Sequence, residues 1–229
     1  MLAVLVDPDK FNQKVIDLSN YAKVDFFFVG GSQVNQADFR KTIAYIKKNS
    51  KIPTILFPGD ENQISAKADA LLLLSLVSGR NPEYLIGKHV NAASKLKKSK
   101  LEIIPTAYLM IDGGINSSTS KVTHTTSILQ HDRKTIVDTA VASELMGMNL
   151  IYLEAGSGAK NIISGNIIKM VRRQTSVPIL CGGGIDSIKK LENCWKNGAD
   201  LAVVGNALEK KPELILELIK SKRKINKSI

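Results

Sequence analysis

The sequence predicts a single (β/α)₈ barrel, and three observations carry that prediction. Eight short aliphatic runs alternate with longer stretches of helical period along the chain. The runs are almost continuously apolar, as strands of a parallel sheet buried on both faces must be. Several of them end directly in glycine or an acid, at the strand ends where a parallel barrel places its chemistry. The 229 residues suit one such barrel, typically about 250 residues long, better than two separate cores.

The first run, Ala3–Val6, passes straight into Asp7-Pro8-Asp9-Lys10 and reads as a strand and turn, not as a secretory leader. A helix over Phe11–Tyr21 follows, with Phe11, Val15, Leu18 and Tyr21 forming one apolar stripe. Strand Val24–Val29 ends in Gly30-Gly31-Ser32-Gln33 and leads to a helix over Ala37–Lys48. Strand Pro53–Phe57 is followed by the Gly/Asp-rich Pro58–Asp69, which leaves room for one helical turn at most, so the third helix is irregular and shortened. Strand Ala70–Leu76 precedes a helix over Glu83–Leu96, and strand Glu102–Ile111 precedes a long polar connection, Ser117–Asp132, read as a mobile loop. The remaining units are helix Lys134–Met148, strand Leu150–Glu154, helix Asn161–Gln174, strand Pro178–Cys181, helix Ser187–Asn197, strand Leu201–Val204 and helix Pro212–Lys222. No interdomain linker interrupts them, so residues 1–229 read as one domain.

Composition excludes several classes. Apolar residues make up 44 % and charged residues 23 %, too much aliphatic surface for a disordered chain. The longest apolar stretch, Ala70–Val77, falls far short of the ~20 residues that span a bilayer. Cys181 and Cys194 form no metal pattern, and a reducing compartment, the cytoplasm, is expected. The net charge of +11 is spread over helix faces, with clusters at Lys95–Lys100 and Lys220–Lys224. No aromatic–basic ladder accompanies these clusters, which argues against nucleic acid and leaves a peripheral contact with anionic lipid headgroups open.

The chemistry-bearing residues gather at the strand ends. Glycine turns after the seventh and eighth strands, Gly182-Gly183-Gly184 and Gly205-Asn206, let main-chain N–H groups approach an oxyanion and point to a phosphate site. Asp7 extends the first strand and suits a hard cation such as Mg²⁺, whereas Asp9 is expected to cap the first helix or support Asp7. Alternation places Tyr152 and Glu154 on one side of the sixth strand, a carboxylate beside a substrate. Lys88 is a phosphate contact of lower rank, and the dispersed His89, His124 and His131 form no metal motif.

Asp7-Pro8-Asp9-Lys10, Gly30-Gly31-Ser32-Gln33, Tyr152-Leu153-Glu154-Ala155-Gly156-Ser157-Gly158, Gly182-Gly183-Gly184-Ile185-Asp186 and Val204-Gly205-Asn206 occur in the order seen in geranylgeranylglyceryl phosphate synthases. The chain resembles that family, and the related heptaprenylglyceryl phosphate synthases, over its whole length. Gly79-Arg80-Asn81-Pro82 and Gly87-Lys88-His89 resemble its mid-chain segment. The resemblance implies a Mg²⁺-dependent prenyltransferase that joins sn-glycerol 1-phosphate to a polyprenyl diphosphate, geranylgeranyl favoured, and releases diphosphate. It implies Asp7 and Ser32 as ligands of Mg²⁺. Tyr152, Leu153, Glu154, Ala155, Gly156, Ser157, Gly158, Gly183, Gly184, Gly205 and Asn206 would hold glycerol phosphate, with Glu154 as the catalytic base. With the aliphatic helix faces, it also implies a homo-oligomer, a dimer or hexamer. Leu5 stands where many archaeal members carry a lysine. Phe28, Leu56 and Leu74 offer apolar surface for the prenyl tail, or are plain core. A heptaprenyl donor, another phosphate-substrate barrel enzyme and a non-catalytic basic binding protein stay open as alternatives.

Overall fold

In the computed structural model, which describes residues 1–225, eight parallel strands close into a barrel in chain order. They are β1 (Leu2–Val6), β2 (Phe26–Val29), β3 (Thr54–Leu56), β4 (Ala70–Ser75), β5 (Glu102–Met110), β6 (Leu150–Glu154), β7 (Ile179–Gly182) and β8 (Leu201–Val204), with β8 pairing back onto β1. Outside lie α1 (Gln13–Ala22), α2 (Gln36–Asn49), α3 (Lys88–Lys98), α4 (Ser118–Thr123), α5 (Arg133–Leu145), α6 (Gly165–Gln174), α7 (Ile188–Lys196), α8 (Asn206–Lys210) and α9 (Leu214–Ile225). Residues 226–229 of the expected single domain, and the side chain of Lys224 in the second basic cluster, lie outside the described part. Among the described residues no helix is long and apolar enough to cross a membrane.

Period-two alternation divides the interior into two cores. Leu2, Val4 and Val6 of β1 face the helices, as do Ile151 and Leu153 of β6. Ala3, Phe28, Leu72, Tyr108, Tyr152, Leu180 and Val203 point into the barrel and fill it. Each fully buried aliphatic side chain contributes roughly 1.5–3 kcal/mol. Helix starts are fixed locally: the side chains of Asn12, Asn35, Asp132 and Ser164 accept N–H bonds at the first turns of α1, α2, α5 and α6.

Several expectations need correction. Asn12, not Asp9, caps α1, so the helix starts beyond Phe11, whose ring packs edge-on to Tyr45 at 5.1 Å. The buried stripe becomes Val15, Ile16, Ser19 and Ala22, and Tyr21 stands 79 % exposed. The Ser117–Asp132 connection is structured: Ser117 caps α4, and Ile128 bridges to Ile111 beside β5. The predicted helix over Glu83–Leu96 starts as a wider turn, Glu83–Gly87, where the Lys88 N–H reaches the Glu83 carbonyl five residues back. A side chain at Gly87 would meet the Glu83 carboxylate at 2.5 Å. Between β3 and β4 no helix forms at all, so the outer layer has a gap over β4.

At the opposite, N-terminal end of the barrel, three aspartates repeat one arrangement. Asp25, Asp69 and Asp200 each immediately precede a strand and accept the first N–H of its neighbour: Leu2 at 2.6 Å, Thr54 at 2.8 Å and Ile179 at 2.8 Å. Each also meets a cation from the helical layer, Lys222 at 2.6 Å, Lys47 at 2.8 Å and Arg172 respectively. For Asp69, burial raises the carboxyl pKa, but the Lys47 and Thr54 bonds outweigh it and hold the group below its ordinary value. The stability that Asp69 contributes is therefore present above the unfolded carboxyl pKa and lost as pH falls through the folded one. Asp25→Ala leaves the Leu2 N–H and the Lys222 ammonium, 16 % exposed, without this partner. Urea denaturation is expected to show a loss of about 1–3 kcal/mol, with native spectra retained. An unchanged midpoint would show the arrangement to be ornamental.

Candidate active site

The C-terminal strand ends open onto a polar cavity of about 520 Å³, lined on one side by Asp7, Lys10 and Ser32 and on the other by Glu154, Ser157, Gly183 and Asn206. Beside it an apolar seam of about 100 Å³ runs along β4, filling the gap left by the missing helix. Leu71 to Leu74, Ile64, Tyr84, Ala92 and Leu96 line the seam. The two spaces share Gly31, Ser32, Phe57, Tyr108, Thr119 and Val122, so they meet at one aromatic junction.

Glu154 closes β6 with its side chain turned inward and only 8 % exposed. Its Oε1 accepts the Gly156 N–H at 2.7 Å, and its carboxyl also meets the Tyr152 hydroxyl. Burial raises its pKa to about 7, against the opposing pull of these two hydrogen bonds. Burial and the neighbouring Glu154 push the Tyr152 and Tyr108 hydroxyls well above their ordinary range, so both stay neutral. Glycine is required opposite: a Cβ at Gly182 would meet the Tyr152 hydroxyl at 2.2 Å, and one at Gly183 would meet Glu154 Oε1 at 2.7 Å. Gly183 and Gly184 both hold positive φ, +85° and +70°, which turns the chain back along the cavity wall. Across the cavity mouth the Ser157 hydroxyl donates to Asn206 Oδ1.

Of the predicted glycerol phosphate set, Tyr152, Glu154, Ser157, Gly158, Gly183, Gly184, Gly205 and Asn206 do line this cavity. Leu153 and Ala155 do not; period two turns them into the outer core. The Gly156 N–H is spent on Glu154, so this glycine orients the carboxylate.

Asp7 sits at the cavity edge. Its Oδ1 accepts the Asp9 N–H at 3.1 Å, and its Oδ2 lies 3.3 Å from Lys10 Nζ, which also approaches Glu209 at 3.5 Å. Burial lowers the Lys10 pKa, yet Glu209 and Asp7 together raise it above the ordinary value. Asp9 instead accepts the Asn35 N–H at 2.9 Å and ties this turn to α2. The Ser32 hydroxyl lies 3.1 Å from Thr119 Oγ1. Among the described residues no group of three or more His, Cys, Asp and Glu converges on one point. Asp7 and Ser32 both line the cavity, a carboxylate and a hydroxyl of the hard oxygen type that Mg²⁺ takes.

Lys88 is not directed at the glycine turns after β7 and β8. It bonds Asp60 at 2.6 Å and Glu61 at 2.9 Å. Burial opposes its charge, but the two carboxylates prevail and raise its pKa. The ring nitrogens of His89 lie 3.0 and 2.9 Å from the carbonyls of Leu85 and Leu74. Leu74 lines the seam and Phe28 fills the barrel, whereas Leu56 faces the helices.

Three residues escape the motif reading. Phe57 meets Tyr152 edge-on and Tyr108 meets it at a tilt, with ring centroids 5.4 and 5.3 Å from it, and the three make an aromatic floor under the junction. Gln63, fully buried in the β3–β4 connection, donates to the Gly31 carbonyl at 2.8 Å and accepts the Gly31 N–H at 3.3 Å. It anchors the turn that carries Ser32. An aromatic pattern on two separate strands was the available signal; a lone Gln in a loop offered none.

Comparison with known proteins gives the same picture. A geranylgeranylglyceryl phosphate synthase of Spirosoma linguale is 46 % identical over 233 residues, covering 99 % of this chain and 93 % of that protein. One from Korarchaeum cryptofilum is 36 % identical over 213 residues, covering 91 % and 87 %. The crystal structure of (S)-3-O-geranylgeranylglyceryl phosphate synthase from Thermoplasma acidophilum, in complex with its substrate sn-glycerol-1-phosphate, superposes with a TM-score of 0.89 at 31 % identity, over 96 % of this chain and 92 % of that one. The sequence pattern of the PcrB family matches residues 2–223, and the chain belongs to that family.

Proposed function

We propose that the protein is a glycerol-phosphate prenyltransferase, forming an ether between the C3 hydroxyl of sn-glycerol 1-phosphate and geranylgeranyl diphosphate. The observation that carries this reading is that a polar, glycine-walled cavity holding the buried Glu154 and Tyr152 meets an apolar seam at the rings of Phe57 and Tyr108, both packed against Tyr152. A small phosphate ester suits the first space and an isoprenoid tail the second. Relatives bearing the synthase name, and a superposable one holding sn-glycerol-1-phosphate, support it.

In this reading Gly183, Gly184, Ser157 and Asn206 hold the phosphate and fix the glycerol hydroxyl near Glu154. The allylic C–O bond to diphosphate breaks, the hydroxyl oxygen bonds to the freed carbon, and its proton passes to Glu154. With a pKa of about 7 the carboxylate is both available and basic enough for that transfer near neutral pH. The faces of Phe57, Tyr108 and Tyr152 suit positive charge developing on the allylic carbon. Asp7 and Ser32 would hold Mg²⁺, which supplies charge neutralisation of the leaving diphosphate when bound. Lys10, 3.3 Å from Asp7 and lining the same cavity, offers the leaving diphosphate a further positive charge.

Mass spectrometry of product from glycerol 1-phosphate, Mg²⁺ and a series of prenyl diphosphates tests the reaction; no ether with any donor overturns it. Asp7→Asn is expected to cripple turnover and its response to Mg²⁺ without unfolding the protein, and full activity would remove Asp7 from the metal site. Gly183→Val puts branched carbon against Glu154 and the phosphate loop, so the KM for glycerol phosphate should rise more than that for the donor. The reverse order would exchange the two pockets.

Glu154→Gln gives two separable readouts. Turnover should fall by roughly 10²–10⁴-fold, because a general base is lost while shape is kept. Stability should move the other way. Because the Glu154 pKa rises from 4.5 to about 7 on folding, its contribution is full below 4.5 and lost as pH climbs through 7. Urea titrations should therefore find the variant gaining on the parent across that window, by on the order of 3 kcal/mol at its upper end. A pH-independent difference would mean that the carboxylate is not desolvated.

A further inference from the structure

We infer that the outer face of α3 and the turn preceding it is a docking surface for an anionic lipid bilayer. The segment is two-sided. Its inner face, with Tyr84, His89, Ala92 and Leu96, walls the apolar seam. Its outer face exposes Ile86 at 59 % and Val90 at 66 %, four residues apart. Beyond them Lys95, Lys97, Lys98 and Lys100 are exposed, and none of the four forms an ion pair among the described residues.

Apolar side chains flanked by unpaired lysines are the composition that lies in a headgroup layer, the apolar tips entering it and the ammoniums meeting lipid phosphates. The acids of the stretch, Glu83 and Glu102, are outnumbered, and Lys88 already pairs Asp60 and Glu61 beside the seam. A second copy of the chain fits this face poorly. Two side chains supply little of the roughly 800 Å² per partner of a standard interface, and lysines would face lysines. The purpose rests on the prenyl reading of the seam: a tail leaving a bilayer would pass beside Ile86 with less exposure to water. The binding itself does not depend on that reading.

Co-sedimentation without substrates tests it, using vesicles of phosphatidylglycerol with phosphatidylcholine and vesicles of phosphatidylcholine alone. Binding is expected only to the anionic vesicles and should weaken as salt is added. Ile86→Glu with Val90→Glu should weaken it about tenfold or more. The control, Leu145→Glu with Met146→Glu, alters a comparably exposed apolar pair at the end of α5 and should keep the parent's binding. Equal binding by the Ile86/Val90 variant and the parent overturns the proposal. So does a drop in particle mass by light scattering on that substitution, which would make the face a contact between copies. Failure of the prenyl transfer assay alongside intact vesicle binding would overturn the enzymatic reading and leave the surface standing.

Discussion

Closure of eight short parallel strands is the constraint on which everything else rests. A closed sheet leaves no edge, so each strand residue has one of two destinations, the barrel interior or the helical layer. That choice turns Glu154 inward together with Tyr152, and sends Leu153 between them outward. A carboxylate so placed is largely withdrawn from water. It is held by one main-chain N–H and one phenol, and it acquires a basicity that an exposed glutamate lacks. Gly182, which ends β7, and Gly183 after it follow from the same geometry, because the space a side chain would occupy there belongs to Tyr152 and Glu154.

The gap over β4 is the second determinant. Elsewhere a helix covers each pair of strands; between β3 and β4 the connection is built from turns and held by Gln63. The leucines of β4 thereby lie along a seam between that connection and α3. Opening a long apolar site beside a closed barrel normally means disrupting packing. Omission of one helix achieves it without touching the sheet. The wide turn at Glu83–Gly87 then sets α3 so that Lys88 reaches back across the seam to Asp60 and Glu61.

The alternation of aliphatic runs was enough to read all eight strands and the parallel barrel, because burial on both faces leaves an unmistakable composition. The glycine turns, Asp7 and Glu154 were legible for a similar reason: each follows directly on a strand whose direction is known. What stayed hidden depends on contacts between distant segments. Phe57 and Tyr108 look like core until the barrel brings them to Tyr152. Gln63 looks like loop, and the stripe of α1 was displaced because Asn12 captured the cap. Asp25, Asp69 and Asp200 look like ordinary turn residues, since nothing in a sequence reveals which neighbouring strand begins alongside them.

Those three aspartates divide the labour of the barrel between its two ends. Strand starts are secured by carboxylates and helix cations at the end remote from the cavity, and none of these groups lines the site. Substitutions that strengthen this floor are separated from the catalytic rim by the full height of the sheet, a distance at which energetic effects generally add. The fold can thus be hardened from below while the loops above are rewritten for other phosphate esters or other tails. A scaffold with that separation tolerates exploration of new substrates better than one whose binding residues also hold it together.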